Sequence, residues 1–340
     1  MMNPLLSIII PFHNAEKNST RLLDHIRRSN HSDIEFVLVD DGSYDNTLDL
    51  LTGLKTESEA NVLIFSQENM GPGGARNTGL KAASGKYVWF VDADDDFDDE
   101  VISSLRTLST KSFDIIDFNI NSGEKIINTV GVDEGSYSES VAKNILLDCF
   151  GRIVTKFFLR KLLVDNNLFF PSFCIYEDTP LTWIVPLYVR SFYKISVVGY
   201  LHHTEYTSIT RGGLSARYFD RIYTNEWGLS QALERAGVHD KLYPYKETVK
   251  CKFVQNYLVT TIGTLSTKLP SKNWILVLRV MRAYRSAARR NELSMSILDK
   301  FKGSRGYKYF IWSAWKLSYF MPDQSEWLKR VRLNAWNREF

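Results

Sequence analysis

Apolar residues in the first third of the chain come in short unbroken runs. "LLSIII" (5–10), "IEFVLV" (34–39), "NVLIF" (61–65), "KYVWFV" (86–91) and "FDIIDF" (113–118) are rich in Ile, Val, Leu and aromatic residues. Such runs read as strands covered on both faces, because a strand with one wet face alternates apolar and polar positions. The intervals between them carry apolar residues at helical spacing, as in Leu22, Leu23 and Ile26 or Leu48, Leu51 and Leu54. Alternating strand and helix predicts an α/β fold with a mostly parallel sheet and helices on both faces, which binds ligands beyond the carboxyl ends of its strands. Segment 119–136 reads as a hairpin-bearing insertion, followed by helices over 138–149 and 156–166. From about residue 215 helical patterns take over, with helices expected at 217–236, 247–267, 273–290 and 305–319, broken by Gly237, Pro270, Gly303 and Pro322. The expected division is 1–215 and 216–340.

Each predicted strand of the first part runs into polar chemistry: "PFHN" (11–14), "DDGS" (40–43), "SQENMGPGGARN" (66–77) and "DADDD" (92–96). Four strand ends thus point at one crevice. Asp92 and Asp94 flank the small Ala93 at period-2 spacing, so both can face one side of an extended segment, and hard oxygen ligands of this kind select Mg²⁺ or Mn²⁺. Asp96, Asp98, Asp99 and Glu100 fit the N-terminus of the helix that follows, where the dipole favours negative charge. Asp41, at a strand end beside the crevice, is placed to accept from a nucleobase N–H or a ribose hydroxyl, while Gly42 turns the chain and Ser43 or Asp45 caps the next helix. The glycines of "ENMGPGGARNTG" (68–79) let backbone approach a ligand, and Arg76 is a permanent cation for a diphosphate. The stretch matches neither the Walker A nor the GxGxxG pattern.

Composition narrows the class. A 340-residue chain that is 44% hydrophobic fills a proper core, and no apolar run approaches the ~18 residues that span a bilayer. The first residues lack a basic region and a small-residue cleavage site, and Cys149, Cys174 and Cys251 are widely spaced, so a cytoplasmic protein with reduced thiols is expected. The net charge of +3 conceals a division: residues 1–200 hold 18 Lys and Arg against 28 Asp and Glu, residues 201–340 hold 24 against 11. An acidic first half suits a metal site, and a basic second half suits a surface that meets anions.

The series "SIIIPFHN", "VLVDDGSYDNT", "NMGPGGARNTGL" and "FVDADDDF", in this order and spacing, closely resembles the glycosyltransferase family 2 enzymes of GT-A fold. The likeness covers about residues 5–100 strongly. It implies a Rossmann-like GT-A domain with a C-terminal helical region, and an inverting transferase using a nucleotide-diphosphate sugar, by default a UDP-sugar, with Mn²⁺ or Mg²⁺. By the same resemblance Asp92-Ala93-Asp94 is the DxD-type motif, Asp41 meets the base, and "CIYEDTPLTW" supplies an acidic pair, Glu177 and Asp178, with Asp178 as general base. A residue that precedes Thr179 and Pro180 also reads as an N-cap, so both roles stand open for Asp178 on spacing alone. Donor contacts are expected from Pro11, Phe12, His13, Asn14, Asp41, Asn69, Gly71, Arg76, Asp92, Ala93, His203 and Arg211, and metal ligation from Asp92, Asp94 and His203. Family members more often carry a small residue and Tyr where this chain has Phe12 and His13. The QxxRW signature of processive synthases is absent, so one sugar per encounter is expected.

Two rivals are a sugar-phosphate nucleotidyltransferase, whose Gly-rich basic loop after strand one is replaced here by "PFHNAEKNS", and a catalytically inactive glycan-binding protein on the same scaffold. The expected acceptor is a glycan or lipid-linked hydroxyl, with no nucleic-acid partner. In the basic half, "WILVLRVMRAYRSAARR" (274–290) and 307–336 mix Trp, Tyr and Phe with Lys and Arg at helical spacing. Such helices either lie on an anionic membrane, which would make the protein peripheral on its inner face, or build a helical core or a homodimer contact.

Overall fold

The computed structural model describes residues 4–123, 125–203, 216–238, 240–262, 274–291, 293, 305–324 and 326–332. The chain forms two compact units, Met1–Arg211 and Gly212–Phe340.

The first unit is built on a mixed sheet of ten described strands: β1 Leu6–Phe12, β2 Ile34–Asp41, β3 Val62–Gln67, β4 Tyr87–Phe90, β5 Asp96–Phe97, β6 Ile115–Asn121, β7 Ile126–Ile127, β8 Gly135–Ser138, β9 Lys156–Leu159 and β10 Ser191–Leu201. Its order is β3-β2-β1-β4-β9-β6-β10-β5, with β7 on β6 and β8 on β10. β1 lies parallel to β2 and β4, and β2 parallel to β3, with Ile8 opposite Phe36 and Trp89. Every residue of β2 is buried, as a strand covered on both faces requires. The helices α1 Thr20–Arg28, α2 Thr47–Glu57, α3 Gly71–Ala82 and α4 Asp99–Leu108 separate the strands, and α1 buries Leu22, Leu23 and Ile26 as its spacing predicts.

One expectation is corrected. The segment read as a helix over 156–166 begins as strand β9, followed only by the short helix α6 Arg160–Asp165; α5 is Glu139–Asp148. β9 is antiparallel to both β4 and β6. Adjacent Phe157 and Phe158 are both fully buried, and a strand alone sends neighbours to opposite faces. The Phe157 ring meets Trp89 and Phe118 at 5.1 and 4.9 Å, while Phe158 meets Phe90 at 6.0 Å on the other face. Beside it, buried Lys156 donates to Asp117 at 2.7 Å and Lys194 reaches the same carboxylate at 3.2 Å, tying β9, β6 and β10 together. Burial lowers both lysines, against the pull of Asp117.

The second unit is helical among the described residues: α8 Asp220–Val238, α9 Lys246–Gln255 continuing into a π-helical stretch Asn256–Ile262, and the helices Trp274–Arg290 and Arg305–Leu317. The expected end of the second helix, 263–267, lies outside the described residues. Val277, Val280, Met281, Tyr284, Ala287 and Ala288 are buried, so the inward face of the Trp274–Arg290 helix is core, and Tyr284 packs on Phe253, Tyr257 and Trp315. Among the described residues no helix is long and apolar enough to cross a membrane.

Candidate active site

The crevice lies where β1, β2, β3 and β4 end, and its floor is Asp41. The last residue of β2 is buried, and its Oδ1 accepts from Gln67 Nε2 at 2.7 Å and from the Met70 amide at 2.9 Å. Burial raises this carboxyl above its ordinary value, with the two donors opposing. Asp40 points elsewhere, accepting from Ser66 Oγ and the Ser43 amide. Gly42 adopts φ +71°, and a Cβ there would lie 2.9 Å from the Asn69 nitrogen, so only glycine lets the β2 loop pass the β3 loop this closely. The N-cap of α2 is Asn46 and makes no side-chain capping bond, so neither Ser43 nor Asp45 is the cap: Asp45, one residue earlier, accepts from the Thr47 amide on Oδ1, and Ser43 Oγ accepts from the Asn14 amide.

From β1 come His13 and Asn14. His13 Nδ1 faces the Asp41 carbonyl oxygen at 2.9 Å, which can only accept, so Nδ1 carries the proton and Nε2 accepts from the side-chain amides of Asn14 and Asn69. Asn14, at φ +50°, also takes the Tyr44 amide on its Oδ1, and His13 meets the Tyr44 ring edge-on at 6.1 Å. Pro11 is half-buried, whereas Phe12 is 1% exposed. The Phe12 ring therefore belongs to the core.

Arg76, on α3, is the hub. Its guanidinium is buried, donates to Asp92 Oδ1 at 2.7 Å from Nη2 and to Glu177 Oε1 from Nη1, and lies over the Phe170 ring at 5.6 Å. Burial disfavours the cation, but Glu177, Asp92 and Asp178 outweigh it and raise the arginine further. An arginine expected to face a diphosphate thus has two of its nitrogens on carboxylates, one at the end of β4 and one 101 residues on. Glu177 is buried, and burial pushes it up to about 7 against the pull of Arg76, with Asp178 adding to the rise. Asp178 is raised by burial and by Asp92, again opposed by Arg76. Burial is the larger cause for both acids, and the like charge of three carboxylates around one cation adds to it. The short helix α7 Leu181–Ile184 has Pro180 at its N-cap, without a side-chain bond there.

Asp94 is half-buried; burial first, then the charges of Asp92 and Asp95, push it up to about 6. Asp95, within the polar strand end 92–96 but assigned no role there, is buried and accepts from Tyr200 Oη at 2.7 Å, His202 Nδ1 at 3.0 Å and the His203 amide at 2.8 Å. Tyr200 Oη also accepts from the Asp92 amide, so the end of β10 is stitched to the carboxylate turn. Asp98, Asp99 and Glu100 behave as a helix start, the Asp98 side chain accepting from the Glu100 amide at the N-cap of α4, whereas Asp96 lies in β5 and pairs with His25 at 2.7 Å. Arg211 lies outside the described residues.

A divalent cation fits the donor set in part. Asp94 is held against like charge, and the Nε2 of His203 is buried with no hydrogen-bond partner among the described residues. No three His, Cys, Asp or Glu side chains among those residues converge on one point, so any cation here would take further oxygens from a ligand, as Mg²⁺ and Mn²⁺ do with substrate phosphates.

The mixed sheet with its flanking helices is a fold of GT-A type. Residues 7–166 match the model of the family described as Glycosyl transferase family 2, and the first unit is a glycosyltransferase family 2 domain. An uncharacterized glycosyltransferase of Nostoc sp. is 34% identical over 149 residues, 42% of this chain and 45% of its own. The poly(ribitol-phosphate) beta-N-acetylglucosaminyltransferase TarS of Staphylococcus aureus is 31% identical over 174 residues, 49% of this chain and 29% of its own. These matches span less than half of either relative's length. A cholesterol galactosyltransferase of Borreliella burgdorferi is 24% identical over 98% of this chain and 92% of its own. The crystal structure of S. aureus TarS 1–349 in complex with UDP-GlcNAc superposes with a TM-score of 0.68 at 20% identity, covering 92% of this chain and 89% of that one, which establishes the shared fold.

Proposed function

We propose that the chain is an inverting glycosyltransferase that moves a sugar from a nucleotide-diphosphate donor, with UDP as the nucleotide, to a hydroxyl of a cell-surface glycan or lipid-linked acceptor. The observation that carries this reading is the buried bridge from Asp92 through Arg76 to Glu177, which gathers the carboxylate turn after β4 and the distant acidic pair into one cluster. The names of the relatives support it: TarS acts on a polymer and has been captured with UDP-GlcNAc, and the Borreliella protein acts on a sterol.

Asp41 would accept from the base, with His13, Asn14 and Asn69 shaping the wall beside it. Mn²⁺ or Mg²⁺ would take at most two of Asp92, Asp94 and His203 together with phosphate oxygens of the donor, and its charge would favour departure of the nucleoside diphosphate. Inversion requires the acceptor oxygen to attack the anomeric carbon opposite the leaving group while a carboxylate takes its proton. Glu177 is committed to Arg76, so Asp178 is the base, and burial, which raises its proton affinity, suits it to that task. Arg76 acts on the donor through the carboxylates it positions.

The test is a panel of UDP-, GDP- and dTDP-sugars, read as protection against thermal unfolding and as metal-dependent release of the nucleoside diphosphate. Asp178→Asn is expected to leave donor protection intact and to lower turnover by about 10²–10⁴. Donor affinity falling together with turnover would reassign the base, and a panel without any protected donor would overturn the function.

A further inference from the structure

The helix Arg305–Leu317 and the 3₁₀ turn Ser318–Phe320 that continues it turn their small and aliphatic residues inward and their aromatic ones outward. Ile311, Ala314 and Ser318 are buried, at the three- and four-residue spacing of a helix face. The other side carries Tyr309, Trp312, Leu317, Tyr319 and Phe320, which are between 46% and 84% exposed. An outward row of five large apolar side chains is far more than the scattered surface residues of an ordinary soluble protein.

Cations are built into this row. Trp312, Trp315, Tyr319 and Phe320 line a shallow groove of about 450 Å³ together with Arg285 and Lys316. The Arg285 guanidinium lies over the Trp315 and Tyr319 rings at 4.5 and 5.0 Å and donates to the Trp315 carbonyl at 2.8 Å, and the Lys316 ammonium stands 3.6 Å from the Trp312 ring centre. The two helices that supply the groove, Trp274–Arg290 and Arg305–Leu317, hold eight Lys and Arg and no Asp or Glu. Arg282, Arg285 and Arg289 follow one another at helical spacing, and burial together with the repulsion of its two neighbours lowers Arg285. An acid-free, cation-bearing aromatic row is complementary to one kind of surface: apolar at depth and anionic at its rim.

We infer that the 309–320 edge of the helical unit docks on an anionic phospholipid surface, with Trp312, Leu317, Tyr319 and Phe320 entering the headgroup layer and Arg285 and Lys316 meeting lipid phosphates. A glycan platform would use flat rings alone, whereas Leu317 and Phe320 stand out as far as the rings with polar handles. Charge reinforces apolar insertion, each nearby Lys or Arg strengthening attachment by roughly fivefold.

The full-length protein is sedimented with vesicles of phosphatidylglycerol and, separately, of phosphatidylcholine. Expected is at least roughly tenfold stronger partition onto the anionic vesicles at low salt, lost on raising the salt to about 0.5 M. Lys316→Glu reverses one charge and weakens partition roughly twenty- to thirtyfold. Phe320→Ser weakens it roughly tenfold. Both side chains are exposed, so neither substitution moves the unfolding temperature, and the lipid and salt comparisons need no variant. No vesicle binding, binding indifferent to lipid charge, or unchanged binding by both variants overturns the docking surface. So does a dimer in light scattering that Phe320→Ser dissolves, or capture by an insoluble glycan that the same change abolishes. Donor protection, measured in the same preparations, stands or falls separately.

Discussion

Arg76 shows what a single buried cation can organise and what its partners are worth. Glu177→Gln leaves the guanidinium with one carboxylate at 2.7 Å and a neutral amide, so it is expected to destabilise the fold by about 1.5–3 kcal/mol as well as lower turnover. Asp178→Asn touches turnover alone, and comparing the two unfolding temperatures separates the structural acid from the base. Asp94 is raised as Glu177 is, and the charges that add to its rise are carboxylates. Its carboxyl is raised to about 6, so in the folded protein its ionised form is disfavoured: its contribution to stability is full below the ordinary value near 4, falls as pH rises toward 6 and is flat above. Asp94→Asn is therefore expected to stabilise the metal-free protein by on the order of 1–2 kcal/mol at pH 8 and by about half as much at pH 5, while abolishing metal-dependent transfer. Thermal unfolding at the two pH values, without added cation, checks it. An equal effect at both would remove the like-charge explanation.

At the scale of elements, the site depends on how closely α3 meets the loop before α7. Gly73 sits where a Cβ would collide with the Pro171 carbonyl and lie 3.1 Å from the Glu177 Cβ. The same loop holds Phe173 and Tyr176 at φ +58° and +63°, a backbone region such residues rarely adopt, and the Phe173 amide donates to the Met70 carbonyl at 2.6 Å. Gly73→Ala is expected to push this loop back and cost roughly 10²-fold in rate for a shift of about 1 Å, with a modest loss of stability. Rescue of the rate by an unrelated stabilising change would argue for a folding defect instead. The strands were legible because runs such as "IEFVLV" are apolar throughout, and four polar strand ends in series located the crevice. β9 was not, since Phe157, Phe158, Leu162 and Leu163 fit a helical spacing as well as a strand followed by a helix. The pairing of Arg76 with Glu177 was hidden by distance along the chain, and the burial of the Phe12 ring was unmarked because alternation in a doubly buried strand has no polar face to show its phase.

Over the whole molecule, the division of charge along the chain coincides with a division of tasks: an acidic sheet unit with the carboxylate turn, and a basic helical unit with an outward aromatic row. The antiparallel insertion of β9 carries a consequence for biosynthesis. β4 bonds to β1 on one side and to β9 on the other, with Trp89 opposite Phe157. A nascent chain that has emerged only as far as residue 150 holds β1 to β4 but presents β4 as a bare, aromatic edge, the kind of edge that recruits other chains. A truncated chain ending at residue 150 is expected to scatter light and pellet after cell-free synthesis, and one ending at residue 211 to stay in solution. Equal solubility of the two would mean that the edge is protected by other means. The ribosome thus completes most of the donor crevice before the chain has any way to shield its own flank, and the interval between residues 90 and 159 is where a chaperone has most to do.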